Sequence, residues 1–362
     1  MHNQNQEEIF LMFYASVAML SLIACCYLLF RQGNAFAKDV TPPVRLRRWT
    51  AAFFAAIASC HMWYLPTYFL TSSDDMMLGY HIAGLLDCMT AIPLTIVVLL
   101  VMLQDRRRPL WPVAVMVAPL AVGNAFCIAT RSDTLLPVLF VYFLLMWLGI
   151  IIYMVRATRQ YGRWLRDNYA DLEHKEVWQG FVVLAIFFLV YVIYSLDVGE
   201  LSYEYATEVI NIVLICYLLC RVETLSDLSI SQSLAVNEGT VTTEEQAPSD
   251  DLGPYLQKYC IDTQLYLQHD LTITQLAQAL GTNRFYLSKY FSRQGITYNA
   301  YINDLRIHHF ISLYREAVAD LRPFTAQQLA HDSGYRSYST FSLAFKQRMG
   351  LSVTVWMRDS AE

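Results

Sequence analysis

Charge is scarce in this sequence. Only 16% of its 362 residues are Asp, Glu, Lys or Arg, while 56% are hydrophobic. A typical soluble domain carries about 25% charged and about 45–50% apolar residues, so a wholly soluble chain and a disordered one are both excluded. Cysteine is present eight times, yet none of the eight falls in a segment read as external. Cys25, Cys26, Cys60, Cys88, Cys127, Cys216 and Cys220 lie in apolar runs, and Cys260 lies in a polar region. That placement excludes a disulfide framework. A basic leader is missing too: the first residues hold Glu7 and Glu8, so the first apolar run is expected to be a span and not a cleavable signal peptide. H-E-x-x-H, G-x-S-x-G, Walker A and paired-cysteine zinc motifs are all missing. The adjacent pair His308-His309 has no metal-binding helical spacing. The expectation is therefore a non-enzyme with no metal and no cofactor.

What the sequence does have is long apolar runs. They lie at about 9–30, 50–70, 80–103, 110–129, 134–155, 178–196 and 203–220. Each approaches the ~20 residues that a helix needs to cross ~30 Å of hydrocarbon. Backbone groups in lipid must bond within their own segment, which makes a helical bundle the expected architecture. The seventh run is interrupted by Glu208 and Asn211. Pro66, Pro93, Pro119 and Pro137 are expected to mark kinks.

Loop charge sets the expected orientation. Arg31, Lys38, Arg45, Arg47, Arg48, Arg106, Arg107, Arg108, Arg156, Arg159, Arg163, Arg166, Lys175 and Arg221 fall on one side, against Arg131 alone on the other. Basic loops stay in the cytoplasm. The N-terminus is thus expected outside and the C-terminus inside, in a multi-pass protein of the bacterial inner membrane. Trp49, Trp111 and Trp178 fall at the inner boundaries, where an aromatic belt belongs.

Ionisable and amide groups within the runs are few: His61, Asp87, Asn124, Glu208 and Asn211. All map to the midplane or the outer half. Three readings are open: hydrogen bonds that hold the bundle together, a pocket open to the outside for an unidentified small-molecule or lipid-phase signal, and an ion pathway.

Composition then changes. Residues 222–252 hold seven acids and no Lys or Arg. Residues 237–251 read as a flexible solvated tether, and residues 222–236 as a continuation of the last helix. The domain reading is 1–221 for a seven-helix membrane domain, 222–252 for an acidic linker and 253–362 for a DNA-binding domain. The fold class is all-α.

The last segment is a little basic, with eleven Lys or Arg against eight acids, and it repeats itself at a period of about 53 residues. Thr272-Ile-Thr-Gln275-Leu276-Ala277 recurs as Thr325-Ala-Gln-Gln328-Leu329-Ala330, and Gly281 recurs as Gly334. Leu287-Ser288 recurs one residue later as Phe341-Ser342, then Phe291 as Phe345 and Gly295 as Gly350. Each copy reads as a helix-turn-helix. Thr272 with Gln275, and Thr325 with Gln328, form capping boxes. Gly281 and Gly334 supply the left-handed residue that ends the first helix. Asn283 and Ser337 cap a second helix, whose inner face is Leu287 with Phe291, or Phe341 with Phe345.

The sequence here resembles the AraC family of bacterial transcription regulators, over roughly 100 residues. The stretch Gly334-Tyr-Arg-Ser-Tyr-Ser-Thr-Phe-Ser-Leu-Ala-Phe-Lys346, followed by Gly350, is similar to the family's signature around its second unit. The resemblance implies two helix-turn-helix units joined by a long helix, about 298–316, in which Arg306 matches the family's usual arginine. Phe310 stands where the family usually has a small residue, and Val353 where it has proline. The membrane half is similar to regulators in which this domain is fused to a polytopic segment.

On this reading the outer face of the first recognition helix offers Asn283, Arg284, Phe285, Ser288 and Lys289. The second offers Arg336, Ser337, Tyr338, Ser339 and Ser342. Arg284 and Arg336 are candidates to read guanine; Lys289, Arg293, Lys346 and Arg348 are candidates for phosphate contacts. The expected partners are double-stranded promoter DNA, the lipid bilayer, the signal, RNA polymerase and a second copy of the chain. A transporter or channel with an appended regulatory domain is the alternative function.

Overall fold

The computed structural model describes residues 2–31, 34–37, 40–178, 180, 181, 201–228 and 252–360. The all-helical expectation holds: among the described residues no strand occurs, only an isolated antiparallel bridge between Tyr169 and Thr272. The chain divides into two compact units. One is Met1–Tyr161 with Val177–Ser229, and the other is Gly162–Glu176 with Ile230–Glu362.

The first unit contains α1 (His2–Phe30), α2 (Val44–Tyr64), α3 (Ser73–Met89), α4 (Ala91–Met102), α5 (Trp111–Thr130), the start of α6 (Leu136–Asn168) and α7 (Leu201–Thr224). Its pairings are α1 with α2 and α7, α2 with α4, and α3 with α5. On α1 the buried residues Phe10, Tyr14, Val17, Ser21, Ala24 and Leu28 recur every three or four positions, which makes one seam along the helix. Ser21 donates to the Phe54 carbonyl across it, at 2.8 Å. The opposite face is just as apolar: Met12, Met19, Ile23 and Phe30 are exposed.

Among the described residues, five helical stretches are long and apolar enough to cross a membrane: Glu8–Phe30, Ser73–Met102, Trp111–Thr130, Leu136–Asn168 and Glu204–Thr224. Helix α2 falls short of that standard because its first turns carry Arg45, Arg47 and Arg48 and its last turn His61. The expected span 50–70 instead starts as a helix at Val44, stops at Tyr64 and passes into a 3-10 turn, Leu65–Phe69, with Pro66 near its start. Most of the expected span 178–196 lies outside the described residues.

The third run is one span made of two helices. Thr90 leaves helical geometry (φ −126°, ψ −77°) between α3 and α4, because Pro93 cannot donate to the preceding turn. Pro119 lies inside α5, whereas Pro66 and Pro137 stand at helix ends and kink nothing.

Helix α6 departs from the expected boundary. The connection 156–177 was expected to be loop, but it stays helical to Asn168. The buried stripe explains this: Ile150, Met154, Ala157, Tyr161 and Leu165 keep the helical spacing past the end of the apolar run. At α7 the departure is the reverse. A helix through 236 was expected, but α7 ends at Thr224. Gln104 takes over the next backbone groups, donating to the Ser226 carbonyl at 2.9 Å and accepting from Leu228 N–H at 2.9 Å. Residues 229–251, which include the expected tether, lie outside the described residues.

The second unit contains a helical segment Gly253–Leu256 that runs on as a π-helix through Gln257–Ile261, then α8 (Ile273–Ala279), α9 (Arg284–Arg293), α10 (Tyr298–Ala319), α11 (Ala326–Asp332), α12 (Tyr338–Met349) and α13 (Val353–Asp359). Local chemistry sets each start. Thr272 and Gln275 form a complete capping box on α8. Asn283, Thr297, Thr325, Ser337 and Ser352 each accept a backbone N–H at the start of the helix that follows. Each such cap contributes about 1 kcal/mol. In the second copy only half of the box forms: Thr325 accepts from Gln328 N–H.

Two small cores result. One gathers Leu256, Cys260, Leu276, Leu287, Phe291, Tyr298 and Ile302; the other gathers Ile307, Phe310, Tyr314, Leu329, Phe341 and Phe345. Helix α10 supplies both. Its first half faces one core, its second half the other, and Arg306 stands between, 1% exposed. Phe310, the departure from the family pattern, fills the second core with its ring 4.4 Å from that of Phe341.

The two turn glycines are not equivalent. Both have positive φ, 68° at Gly281 and 89° at Gly334. A Cβ on Gly281 would meet nothing, while one on Gly334 would stand 2.8 Å from the Leu267 backbone. Gly281→Ala should therefore cost only the left-handed backbone, about 1 kcal/mol, and Gly334→Ala about 2–4 kcal/mol. Hydrogen exchange of the α10 amides in the full chain measures both.

Candidate nucleic-acid interface

The two second helices of the repeat, α9 and α12, are built alike. Leu287 with Phe291, and Phe341 with Phe345, are buried at four-residue spacing, so the opposite face of each helix is presented outward. On α9 that face shows Phe285, 69% exposed, and the exposed Lys289 and Arg293; Arg284 and Ser288 are half-buried at its edge. On α12 it shows Ser339, Lys346 and Leu343, the last 62% exposed, whereas Arg348 lies on the side of the buried pair. Arg336 lies just ahead of α12, exposed, with Nη1 3.2 Å from Asp270 Oδ2. Arg348 pairs with Asp304.

Some of the expected contact residues do other work. Asn283 accepts Tyr286 N–H, and Ser337 accepts Thr340 N–H, so both side chains are engaged as caps. Tyr338 packs beside Phe341 at 5.8 Å between rings and is half-buried. Ser342 is half-buried as well.

Arg306 ties together the two helix-turn-helix copies of the second unit. Its Nε donates to the Tyr266 carbonyl at 2.7 Å and its Nη2 to the Gln268 carbonyl at 2.8 Å. Its guanidinium lies 5.5 Å from the centre of the Tyr335 ring. Burial pulls its pKa below the ordinary arginine value, opposed by Tyr335 and Asp171. Gly334 lets its chain pass against Leu267, and His269 Nδ1 lies 3.0 Å from the Gly334 carbonyl. Cys260, in the first core, has its thiol pushed up to about 11 by burial, so it stays a neutral apolar group.

Comparison with known proteins agrees with this geometry. The helix-turn-helix domain family matches residues 276–359. Two TCP pilus virulence regulatory proteins of Vibrio cholerae serotype O1, from a Classical Ogawa and an El Tor Inaba strain, are each 33% identical over 78 residues, 22% of this chain. The match spans 26% of the length of those relatives. No solved structure matches the chain. The C-terminal region carries an AraC-type helix-turn-helix domain.

Sequence reasoning missed three parts of the AraC-type domain's surface. Leu343 is two positions from the buried Phe341, and helical periodicity alone places it outward. Asp270 is held by Lys175 Nζ at 2.9 Å as well as by Arg336. Burial raises its pKa, but Lys175 and Arg336 outweigh that, and the net position is below the usual carboxylate value. Thr340, in the first turn of α12, donates to Glu173 Oε2 at 3.1 Å. Nothing in local spacing announces these partners.

In the first unit the five polar residues of the apolar runs do not form one cluster. His61 Nε2 lies 3.1 Å from Glu208 Oε2, and Asn211 Nδ2 lies 3.4 Å from the same oxygen. The Tyr14 ring is 4.5 Å from that of His61. Asp87 sits in a separate cage, accepting from Cys60 Sγ and Trp63 Nε1 at 3.0 Å each and from Tyr64 O–H at 2.9 Å. Asn124 donates to the Leu120 carbonyl at 2.9 Å. His81 with Asp133, 2.7 Å apart, is a further pair that the sequence reading did not single out.

Proposed function

We propose that the chain is a membrane-embedded, one-component transcription regulator. The AraC-type domain binds promoter DNA in the cytoplasm, and the helical bundle senses a signal and controls that binding. The observation that carries the reading is the pair of outward recognition faces, α9 and α12, braced through one buried arginine. A second helix presented this way is what enters a major groove.

Membrane embedding is supported by length and composition. The apolar helices expose Met12, Met19, Val115, Val122, Leu145 and Leu148, among other large apolar side chains. Such a surface suits lipid and would aggregate in water. The loop-charge asymmetry supports an external N-terminus and an internal C-terminus, where DNA is found.

Within the interface we assign Arg336 to base reading and Lys346 to the phosphate backbone. The assignment is checked with the full chain in lipid nanodiscs and a duplex selected from a random pool. Arg336→Ala should weaken that duplex by about 1–3 kcal/mol and relax preference at one base pair. Lys346→Ala should weaken all sequences alike and flatten the salt slope by about one unit. Identical behaviour of the two variants contradicts the assignment.

Sensing is assigned to the bundle's buried polar groups, now as two neighbouring centres, His61–Glu208–Asn211 and Asp87 with its cage. Such groups are costly in lipid and need partners; an occupant that exchanges with those partners can shift packing by about 1–3 kcal/mol. Asn211→Leu and Asp87→Asn should each alter the response of a target-promoter reporter to the inducing condition, with normal protein level and normal duplex binding. Full responses, or merely less folded protein, would reduce both centres to bundle packing.

A further inference from the structure

One stretch of the second unit is not part of the helix-turn-helix repeat at all. Residues 162–176 belong to it, although in sequence they lie about 80 positions before the rest of its described residues. They comprise the end of α6 and the connection that follows, Asp167-Asn-Tyr-Ala-Asp-Leu-Glu-His-Lys-Glu176, with four acids and one lysine.

The segment is seated by specific bonds. Tyr169 pairs with Thr272 in the isolated bridge. Ala170 N–H donates to the Leu271 carbonyl at 3.1 Å. Asn299 Nδ2, on α10, donates to the Ala170 carbonyl at 2.6 Å and reaches the Tyr169 carbonyl at 3.3 Å. The Ala170 side chain joins the first core at 2% exposure. Glu173 N–H donates to Asp171 Oδ1 at 3.0 Å, and this holds the bend in place.

Charged groups of the segment, Glu173 and Asp167 among them, then meet the parts of the domain that DNA must reach. Glu173 receives the hydroxyl of Thr340, in the first turn of α12. Lys175 holds Asp270, which in turn holds Arg336 immediately before α12. Arg284, the first residue of α9, lies in the field of Asp167 and Tyr169. The first turn of a recognition helix is the end that contacts base edges. A carboxylate held there both consumes a donor and repels phosphate.

We propose that residues 167–175 form an autoinhibitory clasp that competes with duplex DNA for the first turns of α9 and α12. The proposal rests on the reading of this domain as DNA-binding. Docked, the segment holds the Thr340 hydroxyl internally. Released, it gives up that contact and withdraws its negative charge. Because Asn168 is the last residue of α6, the clasp is covalently continuous with a helix long enough to cross a membrane. A change in α6 therefore has a direct chain route to the recognition helices, separate from the segment 229–251.

The test uses the full chain in nanodiscs and a fluorescein-labelled 40-base-pair duplex of mixed sequence at low salt. Glu173→Gln removes one charge, and Asn299→Ala removes the anchor of the segment's backbone. Each should tighten duplex binding about five- to tenfold, the size of one lost competing contact. A second measurement needs no substitution: hydrogen exchange at Ala170 should be slow in the unliganded protein and faster at saturating duplex. Unchanged or weaker binding by both variants, together with an Ala170 amide equally or better protected on DNA, would overturn the clasp. If the wild type and both variants all fail to bind any duplex, the DNA-binding reading falls first and the clasp with it.

Discussion

A buried guanidinium organises the second unit. Arg306 is 1% exposed on α10, and a cation in that position is tolerable only when its donors are used. It spends them on the Tyr266 and Gln268 carbonyls, which belong to the chain entering the first helix-turn-helix. Its face lies against Tyr335, which belongs to the turn of the second. This one side chain and the close passage of Gly334 over Leu267 therefore tie the entry of the first helix-turn-helix to the turn of the second. Removing the charge would leave two carbonyls without a donor; keeping it fixes two small cores along a single helix.

The first unit follows a different rule. Its helices are apolar on both faces, so the hydrophobic effect does not say which face turns inward, and polar pairs do much of the selecting. Ser21 on Phe54, His61 on Glu208, Asp87 in its cage and His81 on Asp133 each join residues far apart in sequence. At one end Arg47 meets the fully buried Glu223 at 3.1 Å, and Asn34 donates to the Glu223 carbonyl at 2.6 Å. These contacts tie the end of α7 to the connection between α1 and α2, so α7 cannot shift without disturbing α2.

Local chemistry made much of the second unit legible in the sequence. The Thr272–Gln275 box, the caps at Asn283 and Ser337, the glycines at 281 and 334 and the buried pairs Leu287–Phe291 and Phe341–Phe345 all follow from residue type and spacing. The apolar runs that fall within the described residues were equally plain as helices, though not their ends. Helix α6 outruns its apolar stretch because its buried stripe continues in Ala157, Tyr161 and Leu165. Helix α7 stops early because a distant glutamine takes its backbone bonds. Illegible altogether was the docking of 167–176, which depends on a backbone pairing across about a hundred residues. The polar residues of the runs stand out in the sequence, but their grouping into separate centres is a matter of helix rotation that no count along the chain supplies.

The central claim is that Arg306 braces two recognition helices at one fixed spacing on one face of the domain. Hydroxyl-radical footprinting of a selected duplex by the full chain in nanodiscs tests it most directly. The account predicts two protected windows on the same face of the duplex, centred about 34 Å apart, one helical turn. Arg306→Met should blur or lose one window while the other persists. A single window in the wild type, or two windows on opposite faces, would contradict it.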